Sequence, residues 1–398
     1  MASIRILGCL AAASVAATAC AAEHLVWFGT YTHAGVKGGS KGIYVSRFDD
    51  TSGTLSAPAL AAEARSPSFL ARHPTLPVLY AVSEVVDAND TAVGAVQAFA
   101  IDPATGRLTA KNHRSSGGEG PCHVAVDPGG RVVLAANYGG GSAICLGIGP
   151  DGGLEPVATG NPGGFLQHVL DRPVDAGVDP GRQSKPHGHS IDPTADGRFA
   201  IVCDLGLDKV FVHALDAARA TLAPHGSAAV KAGAGPRHFA MHPTGRFGYC
   251  VNELDLTVTA FAFDPQAGAL TPIQTLPTLP AAVTDRQGFS TAEIAVHPTG
   301  KFLYASNRGH DSIAAYAVDP TTGRLSFLGV EPAGVKTPRH FAIAPGGRFL
   351  LTAGQDSGTV AVFAIDGDTG RLSSIGKSIA VPACVCICFQ PRATSSSR

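Results

Sequence analysis

The sequence predicts an all-β fold: a seven-bladed β-propeller of four-stranded antiparallel blades, closed by a C-terminal strand that joins N-terminal ones. Three observations predict it. Short apolar runs with a period of two are separated by Gly, Pro and Asp turns, which is the signature of a strand meander. One such meander recurs along the chain at propeller spacing. The two ends of the chain carry complementary fragments of one further copy.

The clearest copy is Gly235 to Leu270. An apolar run (His238 to Met241) leads into a Pro-Thr-Gly turn, a second run (Phe247 to Val251), a polar break, a third run (Val258 to Phe263) and an Asp-Pro turn. Starts at Pro67, Pro121, Pro186, Pro236, Ala292 and Pro338 are separated by 54, 65, 50, 56 and 46 residues. That period is near the roughly 50 residues of kelch-type blades. PACVCICF, from Pro382, supplies the first strand of a seventh copy, after which the chain runs into a polar, Ser-rich tail. HLVWFGTYT (His24 to Thr32), GIYVSRFD (Gly42 to Asp49) and the residues after Leu55 supply the other three strands. Joining them closes the ring and removes the open sheet edges.

Residues 1–22 stand outside the repeat. Arg5 precedes an alanine-rich apolar run with small residues at Ala19-Cys20-Ala21, the pattern of a secretory signal peptide and too short for a membrane span. Ala17 stands where a lipoprotein acylation site carries Leu, so a soluble exported protein, periplasmic or secreted, is expected. One propeller domain is expected over residues 23–390 and a disordered tail over 391–398. The 398 residues include 48 Gly and 28 Pro and only 15% charged residues, a composition rich in turns, and a net charge of −1 gives no footprint for nucleic acid. Of the cysteines beyond the signal, Cys384, Cys386 and Cys388 alternate and so are expected to share one strand face as small buried side chains.

In an antiparallel blade the start of strand one and the end of strand two lie on the same rim, and strand one lines the central channel. The strand-one starts hold His123, His187, His189, Arg237, His238, Glu293, Arg339 and His340; the strand-two ends hold Glu84, Asn137, Tyr138, Asp204, Asn252, Glu253, Asn307, Arg308 and Gln355. One rim therefore gathers imidazole, carboxylate and guanidinium groups. His238 and His340, in repeated RHFA stretches, read as structural, and His73, His242 and His297, each before Pro, read as turn caps on the opposite rim. Glu253, Arg308 and His189 break the repeat pattern and read as functional.

FGTYT at Phe28, SKGIYVSRFD at Ser40, PCHVAVDP at Pro121, ANYGGGS at Ala136, KPHGHSIDP at Lys185, GPRHFAMHPTGRFGYCVNE at Gly235 and YASNRGHDSIAAY at Tyr304 resemble the seven-bladed lactonase family. That family contains 6-phosphogluconolactonases and 3-carboxy-cis,cis-muconate lactonizing enzymes, and the resemblance spans residues 24–390. It implies catalytic roles for His189, Arg237, Glu253 and Arg308, and the rim positions add His123, Asn137, His187, Asn307 and Glu84 as expected substrate-binding residues. A small-molecule lactone as partner, a monomer, and no cofactor or metal are expected. Export leaves an unphosphorylated lactone open beside the 6-phosphate. The segment from Asn161 to Gln183 lengthens one repeat and leads into His187 and His189, where it can reshape the pocket.

Hydrolysis of a lactone needs a base for water and cationic donors for the oxyanion. Glu253 or His189 is the base, the other positions water or protonates the ring oxygen, and Arg237 and Arg308 are the donors. No GxSxG elbow is present, and no zinc-type spacing, though His187-Gly188-His189 has residues a metal can use. A lactonizing cycloisomerase, or a non-catalytic propeller that binds a ligand or protein across its rim, are the alternative readings.

Overall fold

The structure, a computed structural model, describes residues 23–33, 39–84, 94–156, 164–170 and 179–390. The expected signal peptide, the tail and parts of the Asn161 to Gln183 segment lie outside the described residues.

Every described element is a strand, and the strands form seven antiparallel sheets. Blade 1 is built from both ends: Cys384–Phe389 pairs with Glu23–Thr30, which pairs with Gly42–Asp49, and Thr54–Leu55 and Ala59–Glu63 share the outer edge. Val26 faces Phe389 and Phe28 faces Ile387 across this joint. Blades 2 to 7 then follow in chain order, with first strands Leu70–Arg72, Pro121–Val126, Gly188–Pro193, Pro236–Met241, Ser290–Val296 and Pro338–Ile343.

Burial explains the sequence pattern. Second strands such as Val132–Asn137 and Phe247–Asn252 are buried at every position, because a neighbouring blade covers each face. Fourth strands such as Leu372–Ala380 are largely exposed and polar. Alternate residues of one second strand serve two different interfaces: Val132 and Leu134 meet Ala200 and Val202 of blade 4, whereas Val133 and Ala135 meet Val78 and Tyr80 of blade 2. Buried aromatics carry a polar group that finds a partner on a neighbouring turn. Tyr80, Tyr249 and Tyr304 donate to the carbonyls of Gly152, Gly323 and Gly370, and Trp27 Nε1 donates to that of Gly106.

The turn histidines do more than cap. His242 Nδ1 accepts the Thr244 amide at 3.2 Å, and its Nε2 reaches the Gly300 carbonyl of blade 6 at 3.0 Å. His73 and His297 make the same pair of contacts to their own turns and to Gly130 and Gly347. These side chains join blades on the rim opposite the charged one.

One expectation is corrected. Cys384, Cys386 and Cys388 do not share a face: Cys384 packs against Val26 and Phe28 toward blade 7, while Cys386 and Cys388 pack with Leu25 and Trp27 toward blade 2. The cause is a register shift opposite Gly29 and Thr30, an extra residue that turns the strand over between Cys384 and Cys386. All three thiols are free.

Candidate active site

The same irregularity builds the charged mouth of the channel. In blades 3, 4, 5 and 7 the first strand carries one extra residue against its partner at its start, and that residue is Cys122, His189, Arg237 and Arg339 respectively. A bulge of this kind re-aims a side chain out of the regular alternation. His189 is therefore the counterpart of Arg237 and Arg339, one layer above His123, His238 and His340. A second set of groups comes from the ends of the second strands: Glu84, Tyr138, Glu253, Arg308 and Gln355.

Glu253 is the hub. Arg237 Nε donates to its Oε2 at 3.0 Å, Arg308 Nη2 lies 3.2 Å from Oε1, Arg182 Nη2 donates to Oε1 at 2.7 Å, and His189 Nε2 is 3.9 Å from Oε2. Its amide donates to the Gly235 carbonyl at 2.7 Å, which fixes the backbone that presents it. Burial pushes the Glu253 carboxyl up, but Arg308, Arg237 and Arg182 outweigh burial and hold it at about 2. Glu253 is thus an ionised clamp. Arg237 is pulled down to about 10 by burial and by Arg308 and Arg339, and remains charged at neutral pH. Its Nη1 also donates to the Ala292 carbonyl at 2.6 Å and meets His238 Nε2 at 3.0 Å. Arg308 Nη2 donates in addition to the Thr291 carbonyl at 2.7 Å.

Burial, then Arg237 and His238, hold His189 well below the ordinary histidine range, so its imidazole is neutral at neutral pH. Below it, Phe69 fills the channel, with ring centroids 4.2 Å from His123, 5.7 Å from His238 and 5.4 Å from His340. Glu293 joins the same layer through His238 Nδ1 at 3.0 Å and His340 Nε2 at 3.2 Å, and burial raises its carboxyl. The layer closes the mouth with buried groups that exclude water, and fixed charges act more strongly there than in water. His123 is part of this floor, its Nδ1 accepting the Ile191 amide at 3.3 Å.

The other residues assigned to substrate binding are placed differently from one another. His187 stacks on Tyr138 with centroids 4.3 Å apart, and its Nδ1 reaches the Tyr138 carbonyl at 2.8 Å. Glu84 accepts from Tyr31 at 3.1 Å and from Ser68, and lines with Arg237 and Arg339 a cavity of about 10 Å³, room for about one water. Asn137 and Asn307 are both fully buried at the ends of their second strands. Asn137 Nδ2 donates to Ser116 O and Ser142 Oγ, and Asn307 Nδ2 to Thr278 O and Ser312 Oγ, so these amides tie down turns and offer no N–H to the mouth.

Sequence reasoning missed Arg182 and Tyr31. Arg182 sits at the end of the long segment before His187, whose length was the available signal. Gln183, fully buried, donates to the Leu205 carbonyl and to Asp208 Oδ1, both at 2.8 Å, and so pins the segment beside the mouth. Tyr31 lies under the Arg339 guanidinium at 5.3 Å. A larger cavity of about 740 Å³ lies between blades 1 and 2, lined by Lys41, Glu63, Arg65, Gln97 and Lys111. The channel mouth, where Arg237 and Glu253 form a buried ionised pair, is the better candidate despite its smaller volume.

A family profile described as lactonase, 7-bladed beta-propeller, matches residues 25–389. The chain is 35% identical over 80% of its length to a 6-phosphogluconolactonase of Bacillus subtilis, of which 84% is covered. It is 31% identical over 76% of its length to a 6-phosphogluconolactonase of Formosa agariphila, 82% of which is covered. Among solved structures, the periplasmic gluconolactonase of Pseudomonas aeruginosa superposes with a TM-score of 0.82 at 32% identity, covering 92% of this chain and 99% of that one.

Proposed function

We propose, from the premise that the chain belongs to the seven-bladed β-propeller lactonase family, that it hydrolyses a sugar lactone of the gluconolactone type, with or without a 6-phosphate. The observation that carries this reading is a neutral imidazole, His189, set beside a carboxylate that holds Arg237 and Arg308 in fixed positions.

In the proposed reaction His189 takes a proton from water as the water oxygen bonds to the lactone carbonyl carbon. Negative charge moves to the carbonyl oxygen, where Arg237 and Arg308 donate. As the carbonyl re-forms, the bond to the ring oxygen breaks, and His189 returns its proton to that oxygen, giving the open hydroxy acid. Glu253 keeps the guanidinium groups in place without solvent reorganisation and, 3.9 Å from His189 Nε2, favours the imidazolium as it forms. Its clamping by three arginines makes it the poorer base of the two. Export is part of the same reading, supported by the apolar, alanine-rich start of the chain and by the likeness to a periplasmic gluconolactonase.

The test is an assay of purified protein on glucono-1,5-lactone and its 6-phosphate, with spontaneous hydrolysis subtracted. Acceleration of either supports the reading. Acceleration of neither overturns it.

A further inference from the structure

Among the arginines at the mouth, Arg182 is unlike the others. The side chains of Arg237 and Arg308 are 3% and 14% exposed, whereas that of Arg182 is 40% exposed. Arg237 and Arg308 are each bound to a backbone carbonyl as well as to Glu253. Among the described residues, the hydrogen bonds of the Arg182 side chain both run through Nη2, to Glu253 Oε1 at 2.7 Å and to the Tyr138 hydroxyl at 3.1 Å. Nε and Nη1 take no part in those bonds, and Nη2, once it leaves Glu253, completes with either of them the planar fork that suits phosphate and carboxylate. The neighbouring Gln183 fixes the backbone, so the side chain can turn without the loop moving.

The charge of the mouth favours such a turn. Arg182, Arg237, Arg308 and Arg339 face two carboxylates, Glu84 and Glu253, because Glu293 below is engaged by His238 and His340. The excess is cationic and draws anions. Glu253 keeps two arginines when Arg182 leaves it, so it is not stranded as an unpaired buried charge.

We infer that Arg182 is the residue by which the mouth distinguishes an anionic lactone from a neutral one, swinging off Glu253 to hold a phosphate or carboxylate remote from the lactone ring. This rests on the lactonase reading above. It makes Arg182 a specificity residue, separate from the groups that act on the carbonyl.

The experiment compares wild type, Arg182→Gln and Arg182→Lys on three lactones: glucono-1,5-lactone, its 6-phosphate, and glucaro-1,4-lactone, whose free carboxylate is the second anion source. Calorimetric binding of 6-phosphogluconate and gluconate is measured alongside; both carry the C1 carboxylate and they differ only in the phosphate. Arg182→Gln is expected to raise KM for at least one anionic lactone about tenfold or more, the scale of a lost charge-assisted contact. Glucono-1,5-lactone should lose several-fold less in kcat/KM than that anionic lactone does. Lysine should recover part of the loss. The two anionic lactones show whether phosphate, carboxylate or both are held. Equal losses on neutral and anionic lactones overturn the inference, since Arg182 then acts only through Glu253 and Tyr138, and so does the absence of loss on all three. If wild type hydrolyses none of the lactones, the lactonase reading fails, while a loss of 6-phosphogluconate binding confined to the Arg182 variants still supports an anion site and its absence rejects one.

Discussion

The stretch Pro-Arg-His-Phe-Ala opens the first strand of both blade 5 and blade 7, and the two copies are put to different use. In each, the arginine is the extra residue of a bulge and points to the channel mouth. In blade 5 the adjoining second strand ends in Glu253, which takes Arg237 at 3.0 Å; in blade 7 the corresponding residue is Gln355. Arg339 instead lies over Tyr31 and shares a small cavity with Glu84. A repeated motif supplies a direction in space, and the unrepeated residue opposite it supplies the chemistry. The lesson is that roles in a propeller are assigned by the pairing of two rings, not by either ring alone.

The largest expected effect tests the blade 5 half of that comparison. Arg237→Ala should lower kcat by about 10²- to 10³-fold, the range for one oxyanion donor. Glu253 still keeps Arg308 and Arg182, so circular dichroism and a melting curve should show a folded protein. A loss below about tenfold in a folded variant breaks the assignment.

Next is the base. His189→Gln should lower kcat about 100-fold, within the usual contribution of general-base catalysis. A base must be deprotonated, and burial with Arg237 holds His189 well below 6.5. The acid limb of kcat/KM in wild type should therefore fall below pH 6.5, with activity kept from there to neutrality. An acid limb centred at or above 6.5 contradicts a neutral, desolvated His189.

Glu253→Gln sharpens the contrast between clamp and base. As a clamp, Glu253 should cost about tenfold in kcat when changed, less than His189→Gln; the reverse order makes Glu253 the base. Stability gives a separate readout. The folded-state pKa of about 2 lies below the ordinary 4.5, so the contribution is present above about pH 4.5 and is lost as pH falls toward 2. That shift corresponds to roughly 3 kcal/mol. Urea titrations of wild type should lose this increment between pH 5 and 2, and those of Glu253→Gln should be flatter there.

Much of this was legible in the residues alone. Turn residues and period-two runs locate the blades, because each second strand is covered on both faces and must be apolar throughout. Glu253, Arg308 and His189 follow from their rim positions, because strand ends are fixed once the turns are. Three things were not legible. The bulges leave no mark in composition, so the layer of His189 and the faces of Cys384 and Cys386 depend on backbone register. Asn137 and Asn307 occupy rim positions, yet a short side chain there donates first to the carbonyl and hydroxyl oxygens of nearby turns. Arg182 comes from a segment with no counterpart in other repeats, where periodicity is silent.

The smallest expected effect belongs to the blade 7 copy. Arg339→Ala removes a cation that stacks on Tyr31 and faces Glu84, but no carboxylate at the end of its own blade depends on it. Burial works against its charge, and Tyr31, Glu84 and Glu253 together keep it protonated, so its loss should be felt by those groups before it is felt by a substrate carbonyl. A cation over an aromatic ring contributes about 0.5 to 2 kcal/mol, so the melting temperature should fall by a few degrees. Turnover should fall less than about tenfold, well short of the loss of an oxyanion donor. Tyr31→Phe, which keeps the ring under Arg339 but removes the hydroxyl that donates to Glu84, should change turnover still less. If Arg339→Ala instead matches Arg237→Ala in lost kcat while melting normally, then the two copies are equivalent, and the pairing with Glu253 does not decide which arginine meets the oxyanion.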